Sequence, residues 1–317
     1  MNSEKREIFN KLYVKQWVLG LVRADIKDII RTRTFKQDIN WLPLNLTDHF
    51  YGDPFLLKTD DDNLNILFED FDFEQNYGNL SLMTLDNNFR QTDQKVLLDT
   101  KSHLSYPFIF KENGKIFVFP ESSRGRNLLC YEYDPVNRSL AFVGQIIDKP
   151  LLDSTILKHN NIYWIFATTN EKPAGYRMHI FYSDKLFGPY TPHHGNPVRY
   201  GYDGTRSAGN FINVDGIIYR PAQNCEKLYG ESITINRIRH LDKYNFEEEP
   251  YMTISIDDRN REIHGIHTIH TINAIDGLIA VDGMKWTFSP KNQFRNFLRN
   301  KKHLKNHKIH QKAINDF

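Results

Sequence analysis

Three carboxylates, Asp53, Glu121 and Asp153, each stand beside a short run of β-branched or aromatic residues, and arginines follow at Arg206 and Arg220. Side chains of these types support chemistry at a hydroxyl or an acetal. When carboxyl groups share a site, mutual repulsion and nearby cations drive their pKa values apart, leaving one base and one acid. The base activates or orients an acceptor hydroxyl, and cationic or donor groups hold a leaving phosphate or developing charge. Candidates for the second task are Arg206, Arg220, His103 and His267, while Gln223 could bind hydroxyls. Tyr106, Tyr219, Tyr229 and Trp164 are rings that could stack on apolar sugar faces. Each type also has a structural use: Asp caps turns, Arg220 and Gln223 could pin the loop after them, and strand tyrosines fill cores.

Distant residues form one site only if the fold gathers them, and a repeat supplies that geometry. Asp53-Pro54-Phe55-Leu56-Leu57-Lys58 leads to Leu64 through Phe68 and Glu69-Asp70, and Tyr106-Pro107-Phe108-Ile109-Phe110-Lys111 leads through Asn113-Gly114 to Ile116 through Phe119 and Glu121. Further copies begin at Asp153, Ala208 and His267, with turns at Asn160-Asn161, Asp215-Gly216 and Asp276-Gly277. A period of about 50 residues built from hairpins signals a propeller. Third strands are expected at Leu80 to Leu85, Leu128 to Tyr133, Met178 to Tyr182 and Ile233 to Ile238, with weaker fourth strands such as Lys95 to Asp99 and Met252 to Ile256. The expected fold is all-β: a five-bladed β-propeller over residues 1–290 with a short basic C-terminal helix in 291–317. Tyr13 to Ala24 is expected to supply the outer strand of the last blade and so remove an open edge. In such a ring the first strand of every blade lines the axis, so Asp53, Tyr106, Asp153 and His267 converge on one funnel. A β-sandwich is the alternative, but it requires no such repeat.

With these motifs in view, the chain resembles the propeller at the N terminus of glucosamine inositolphosphorylceramide transferases, which is also met in bacteria alone or beside sugar formyltransferase-like domains. The likeness rests on Asn40-Trp41-Leu42-Pro43, Gly52-Asp53-Pro54-Phe55, Glu69-Asp70-Phe71, His103 through Phe108, Pro120-Glu121-Ser122, Asp153-Ser154-Thr155-Ile156, Gly188-Pro189-Tyr190, Asn196-Pro197-Val198, and Arg220 through Cys225 with Tyr229-Gly230. In the plant proteins a separate C-terminal domain resembles the sugar-transferring part. The chain also resembles, more distantly, the arabinanase, levansucrase and invertase glycosidases. That resemblance implies catalytic carboxylates at Asp53 and Asp153. Its Glu acid from the fourth blade meets Thr205-Arg206-Ser207-Ala208-Gly209 here. Glycosyl transfer in bacterial surface polysaccharide or glycolipid assembly is the leading expectation, with a glycan or sugar nucleotide as substrate. A furanoside-type glycoside hydrolase and a noncatalytic glycan-binding propeller stand as alternatives.

Composition narrows the rest. Cys130 and Cys225 are the only cysteines, too few for a disulfide framework and without the close partners of a zinc site. His264, His267 and His270 cannot all meet one ion from a regular strand, because alternation puts His267 on the opposite face; no metal is expected. Glycine-rich phosphate loops, nucleophile elbows and His-Glu-x-x-His helices are missing, so no cofactor is expected either. From residue 291 onward the chain carries net +7, against −5 for the remainder. The acidic body argues against nucleic acid, and the basic tail suits peripheral contact with an acidic membrane or a polyanionic glycan, or a solvated end helix packed on the body. No apolar run has signal-peptide or spanning length, which predicts a soluble, cytoplasmic protein, peripheral to the inner membrane face where the tail meets lipid.

Overall fold

The computed structural model describes residues 12–298 except 37, 44–46, 60–63, 123, 124, 126, 257–261, 272–276 and 296. Strand β1 (Tyr13–Arg23), helix α1 (Ile26–Thr32) and strand β2 (Asn40–Trp41) come first. Blade I follows as β3 (His49–Leu57), β4 (Leu64–Asp72), β5 (Tyr77–Leu85) and β6 (Gln91–Leu98). Blade II comprises β7 (Ser105–Glu112), β8 (Lys115–Glu121), β9 (Leu128–Asp134) and β10 (Ser139–Ile147). In blade III, β11 (Leu151–His159), β12 (Ile162–Thr169) and β13 (Arg177–Ser183) carry the short β14 (Thr191–Pro192) and β15 (Arg199–Tyr200). Blade IV has β16 (Asp203–Ser207), β17 (Ile212–Val214), β18 (Ile217–Asn224), β19 (Ser232–Leu241) and β20 (Phe246–Ile254). Blade V is built from β21 (Ile263–Gly265), β22 (Ile269–Thr271) and β23 (Leu278–Phe288) together with β1 and β2. The chain is a five-bladed β-propeller, and a short helix starts at Pro290.

Turn chemistry sets the hairpins. Asn113-Gly114, Asn160-Asn161 and Asp215-Gly216 all take positive φ at both positions, the backbone of a type I′ turn, whose twist matches that of its strands. Asp276 of the fifth copy lies outside the described residues. Each blade buries both faces against its neighbours, and the apolar side chains collect in clusters between blades: Phe55 and Leu67 with Phe108, Phe119 and Ile165; Trp164 and Phe166 with Phe211; Val281 with Ile235; Leu19 and Leu21 with Leu56 and Phe68. Trp164 and Tyr219 belong to these clusters, 2% and 4% exposed, so neither ring is available to a ligand.

Closure differs from expectation in one respect. β1 pairs with β23 from Tyr13↔Phe288 to Arg23↔Leu278 and closes the ring, but the sheet order β2-β1-β23-β21 makes β1 the third strand, with β2 at the rim. Helix α1 is a second departure. Asp25 caps it by accepting from the Lys27 N–H at 2.8 Å, and Ile26, Ile29 and Ile30 pack with Ile212 and Val214. Seven residues give too few turns for a periodic pattern to stand out from the surrounding strands.

Candidate functional site

The first strands of blades I to III share one irregularity. Register slips between Gly52 and Phe55, between Ser105 and Phe108, and between Leu152 and Thr155. At each slip one residue is left-handed: Asp53 at φ 50°, Tyr106 at 42° and Asp153 at 49°. A bulge of this kind re-aims a side chain away from the pleat, and holding a residue other than glycine there costs on the order of 1–3 kcal/mol, a cost met mostly at functional sites. The second strands complete the pattern, because Glu69 stands opposite Gly52, Glu121 opposite Ser105 and Thr168 opposite Leu152.

These positions open onto a cavity of about 340 Å³ at the hub, lined by Asp53, Glu69, Glu121, Asp153, Arg206, His103 and His267, with Trp17, Phe50, Phe71 and Tyr229 among the walls. Asp53, Glu121, Asp153, His103, Arg206, Tyr229 and His267 of the sequence-predicted set therefore come together. Tyr106, Arg220 and Gln223 do not reach the cavity. Tyr106 is fully buried in the hub, where its hydroxyl meets Thr155 Oγ1 at 2.8 Å and accepts from the Gly209 N–H at 2.8 Å, joining blades II, III and IV. Gly209, at φ 126°, is what lets blade V come so close: a Cβ there would lie 1.7 Å from the Ile269 carbonyl oxygen. Arg220 turns into blade IV and pairs with Glu248, donating from Nε to Oε2 at 2.8 Å. Gln223 stands behind the cavity and donates to Asp153 Oδ2 at 3.2 Å and to the Ser207 carbonyl at 3.0 Å.

Asp153 is the anchor of the basic corner. Its Oδ2 accepts from Arg206 Nε at 2.6 Å, and its backbone N–H donates to Glu121 Oε2 at 3.3 Å. Arg206 also lies 3.9 Å from Glu121 Oε2 and over the Tyr229 ring at 5.4 Å. On the other side, His267 stacks on Trp17 at 3.8 Å and holds Asp282 Oδ2 at 2.5 Å from its Nδ1. Burial lowers the His267 pKa, but the charge of Asp282 and its hydrogen bond, with Asp53 and Asp153 adding, outweigh burial and raise it. His103 accepts the Gly78 N–H at Nδ1, 3.0 Å away, which leaves its proton on Nε2.

Burial pushes the Asp53 carboxyl up to about 6 against the pull of His267, with Asp282 and Asp153 adding to the rise. The folded protein thus holds this proton more tightly than the unfolded chain. Asp53's own contribution to stability is full below its ordinary value of 3.8 and is lost as pH rises through about 6. Carbon-13 NMR of the Asp53 carboxyl is expected to give a titration midpoint near 6; a midpoint at the ordinary value would show that the pocket does not perturb it. Glu69 is displaced further. Burial first, then the charges of Asp53, Glu121, Asp282 and Asp153, hold it well above the usual carboxylate range, and its Oε1 finds no hydrogen-bond donor among the described residues. Glu69 is thus the carboxyl of the hub whose surroundings favour the protonated acid.

Sequence reasoning missed Glu69, Asp282, Trp17, Phe50 and Phe71. The signal for Glu69 was present, since it stands just past the second apolar run of its copy as Glu121 does. Asp282 follows Val281 at the same point in blade V. The histidine run also needs correction. Residues 266–268 interrupt the strand, so His264 is exposed while His270 is buried and accepts the Leu56 N–H at 3.0 Å; the two do not share a face. Asp53, His267 and Asp282 do bring one ligand atom each within 4.8 Å of one another. Donors already occupy those atoms. Asp282 takes the N–H groups of Asp53, His267 and Thr268 at 3.0, 3.0 and 2.9 Å, and Asp53 takes the Thr268 hydroxyl at 2.7 Å and the Tyr106 N–H at 3.1 Å. The cluster is held by hydrogen bonds and does not fit a cation.

Residues 42–276 match the family model described as glucosamine inositolphosphorylceramide transferase 1, N-terminal. Curated proteins of that name are similar: from Oryza sativa subsp. japonica, 31% identical over 209 residues, 64% of this chain and 28% of the relative; from Arabidopsis thaliana, 32% over 210 residues, 64% and 27%. The chain therefore spans less than a third of the length of these relatives. Among solved structures, the family 117 glycoside hydrolase Zg3597 of Zobellia galactanivorans superposes with a TM-score of 0.53 at 11% identity, covering 87% of this chain and 92% of that one. The GH43 β-1,3-galactosidase BT3683 gives 0.51 at 12%, covering 66% and 81%. At such identities these likenesses bear on the fold alone.

Proposed function

The chain belongs to the family of the glucosamine inositolphosphorylceramide transferase 1 N-terminal domain, and from that premise we propose that its hub is a carbohydrate site performing acid–base glycosyl transfer. The observation that carries this reading is the convergence of Asp53, Glu69, Glu121 and Asp153 with Arg206 in one aromatic-walled cavity. Its volume lies at the low end of small-ligand pockets, enough for roughly one or two sugar rings. Glu69 gives its proton to the leaving oxygen, and Asp53 takes the proton of the acceptor hydroxyl. Arg206 and Asp153, locked together, fix the field in which charge develops at the anomeric carbon. Trp17, Phe50, Phe71 and Tyr229 supply apolar faces for the ring. The names of the rice and Arabidopsis relatives support a sugar transferred to a glycolipid.

A hydrolytic second reading is favoured by the charge of the lining. Four carboxyl groups face one arginine, itself paired with Asp153, which suits an uncharged glycoside better than the pyrophosphate of a nucleotide donor. Water in place of the acceptor would then release free sugar. Contact with an acidic membrane through the tail, on the cytoplasmic side, belongs to the same proposal and is supported by that tail's net +7 charge.

Incubation with panels of glycosides, nucleotide sugars and acceptor glycans, followed by mass spectrometry, separates these outcomes. A transfer product or free sugar, reduced about a hundredfold in Glu69→Gln, is expected. Glycan binding without turnover on any donor would make the hub a noncatalytic binding site, and neither binding nor turnover would remove the carbohydrate reading.

A further inference from the structure

The chain after β23 sits on the funnel rim. Asn292 Nδ2 donates to the Thr47 carbonyl at 2.7 Å, the Ser289 N–H donates to the Leu12 carbonyl at 2.8 Å, and Arg295 pairs with Glu74 at 2.9 Å. Thr47 is only three residues of extended chain, about 10 Å, from Phe50 in the cavity wall. Glu74 is as near in sequence to Phe71, another wall residue. The helix that begins at Pro290 is therefore fixed on the face where the cavity opens. The hairpin turns at Asn113–Gly114 and Asn160–Asn161 lie at the far ends of strands whose other ends reach the hub, so they mark the opposite face.

This rim exposes large apolar side chains beside cations. Phe288, Phe294, Phe297 and Leu298 are 57%, 61%, 52% and 50% exposed. Phe294, Phe297 and Leu298 follow the i, i+3, i+4 spacing of one helical stripe, with Lys291 and Arg295 in the same helix and six further cations in the sequence after it. Aromatic and leucine side chains flanked by Lys and Arg are the composition of an interfacial helix. A second protein copy offers the body's net −5 charge but no reason for so many exposed rings to lie beside the funnel mouth.

We propose that the end of β23 and the helix after Pro290 form a docking surface for an anionic lipid bilayer, oriented so that the mouth of the hub cavity faces the lipid. The proposal rests on the membrane contact inferred from the tail and not on the chemistry of the hub. Apolar side chains enter the headgroup boundary, the cations meet lipid phosphates, and a sugar carried on a lipid reaches the funnel without leaving the surface.

Co-sedimentation of the full chain with vesicles tests this without any knowledge of the substrate. Vesicles of phosphatidylcholine with phosphatidylglycerol should retain the protein, and phosphatidylcholine alone should not. Phe294→Ser with Leu298→Ser, and separately Arg299→Gln with Lys301→Gln and Lys302→Gln, should each weaken partitioning by about tenfold, with thermal unfolding unchanged. Hydrogen exchange on vesicles should slow at 47–50 and 287–298 and stay unchanged at 113–114 and 160–161. Equal retention of all variants, retention indifferent to lipid charge, pelleting without vesicles, or protection of the opposite turns would each overturn the proposal. Full competition by a soluble polyanionic glycan would assign the surface to glycan instead. Loss of turnover on every sugar panel would leave this result standing, and failure here would leave the hub untouched.

Discussion

Asp53→Asn should reduce kcat/KM on the active glycan by about a thousandfold, the scale on which an acid–base group contributes, while leaving the fold intact. Asn tolerates the left-handed φ of 50° found at this bulge. Its carboxamide oxygen still accepts from the Thr268 hydroxyl or the Tyr106 N–H, the two donors that hold Asp53 now. What disappears is a carboxylate able to take a proton. In the parent protein the rate should fall as pH drops through about 6, where Asp53 becomes protonated, and the variant's residual rate should lose that limb. A variant rate within tenfold of the parent, or a parent profile flat across that range, would remove Asp53 from the chemistry.

Asp282→Ala should have the largest effect on stability, about 4 kcal/mol or more. Asp282 is fully buried, and its carboxylate accepts three backbone N–H groups besides the His267 ring. Alanine strands those donors away from water at roughly 1–3 kcal/mol each, and it leaves His267 without the anion that favours its protonation. Urea denaturation should show a lower midpoint with an unchanged slope. Asp282→Asn should fall between the two, since its amide oxygen can still accept at one corner. A loss below about 1 kcal/mol would mean that water or a shifted strand replaces the lost acceptor.

Much of this architecture was legible before any coordinates, because it rests on short-range rules. Asn-Gly and Asn-Asn turns dictate a hairpin wherever they occur between apolar runs, and a hairpin returning at even spacing dictates a ring. Asp53 and Asp153 were legible for the same reason: both open their copies. Arg220 was not. It lies in a buried strand just as a hub residue would, but its partner Glu248 lies in β20, two strands away across β19 in the same blade, and no local pattern announces that pairing. Tyr106 occupies the bulge position of its blade as Asp53 and Asp153 do, yet its length carries the hydroxyl past the cavity to Gly209. Shape, which spacing does not encode, separates a plug from a ligand contact. Glu69 shows the converse, a residue whose position was readable but whose role depends on burial and on charges contributed by four other strands.

The pairing of β1 with β23 has a consequence for biosynthesis. The wall bearing Trp17 belongs to a strand made before blades I to IV, and the blade it completes is made after them. A nascent chain on the ribosome can pair the hairpins of blades I to IV as they emerge, but His267 and Asp282 find Trp17 and Asp53 only after β23 has been translated. Until then Asp53 lacks its partners Thr268 and His267, so a product interrupted before β23 carries most of the scaffold with one wall of the hub missing.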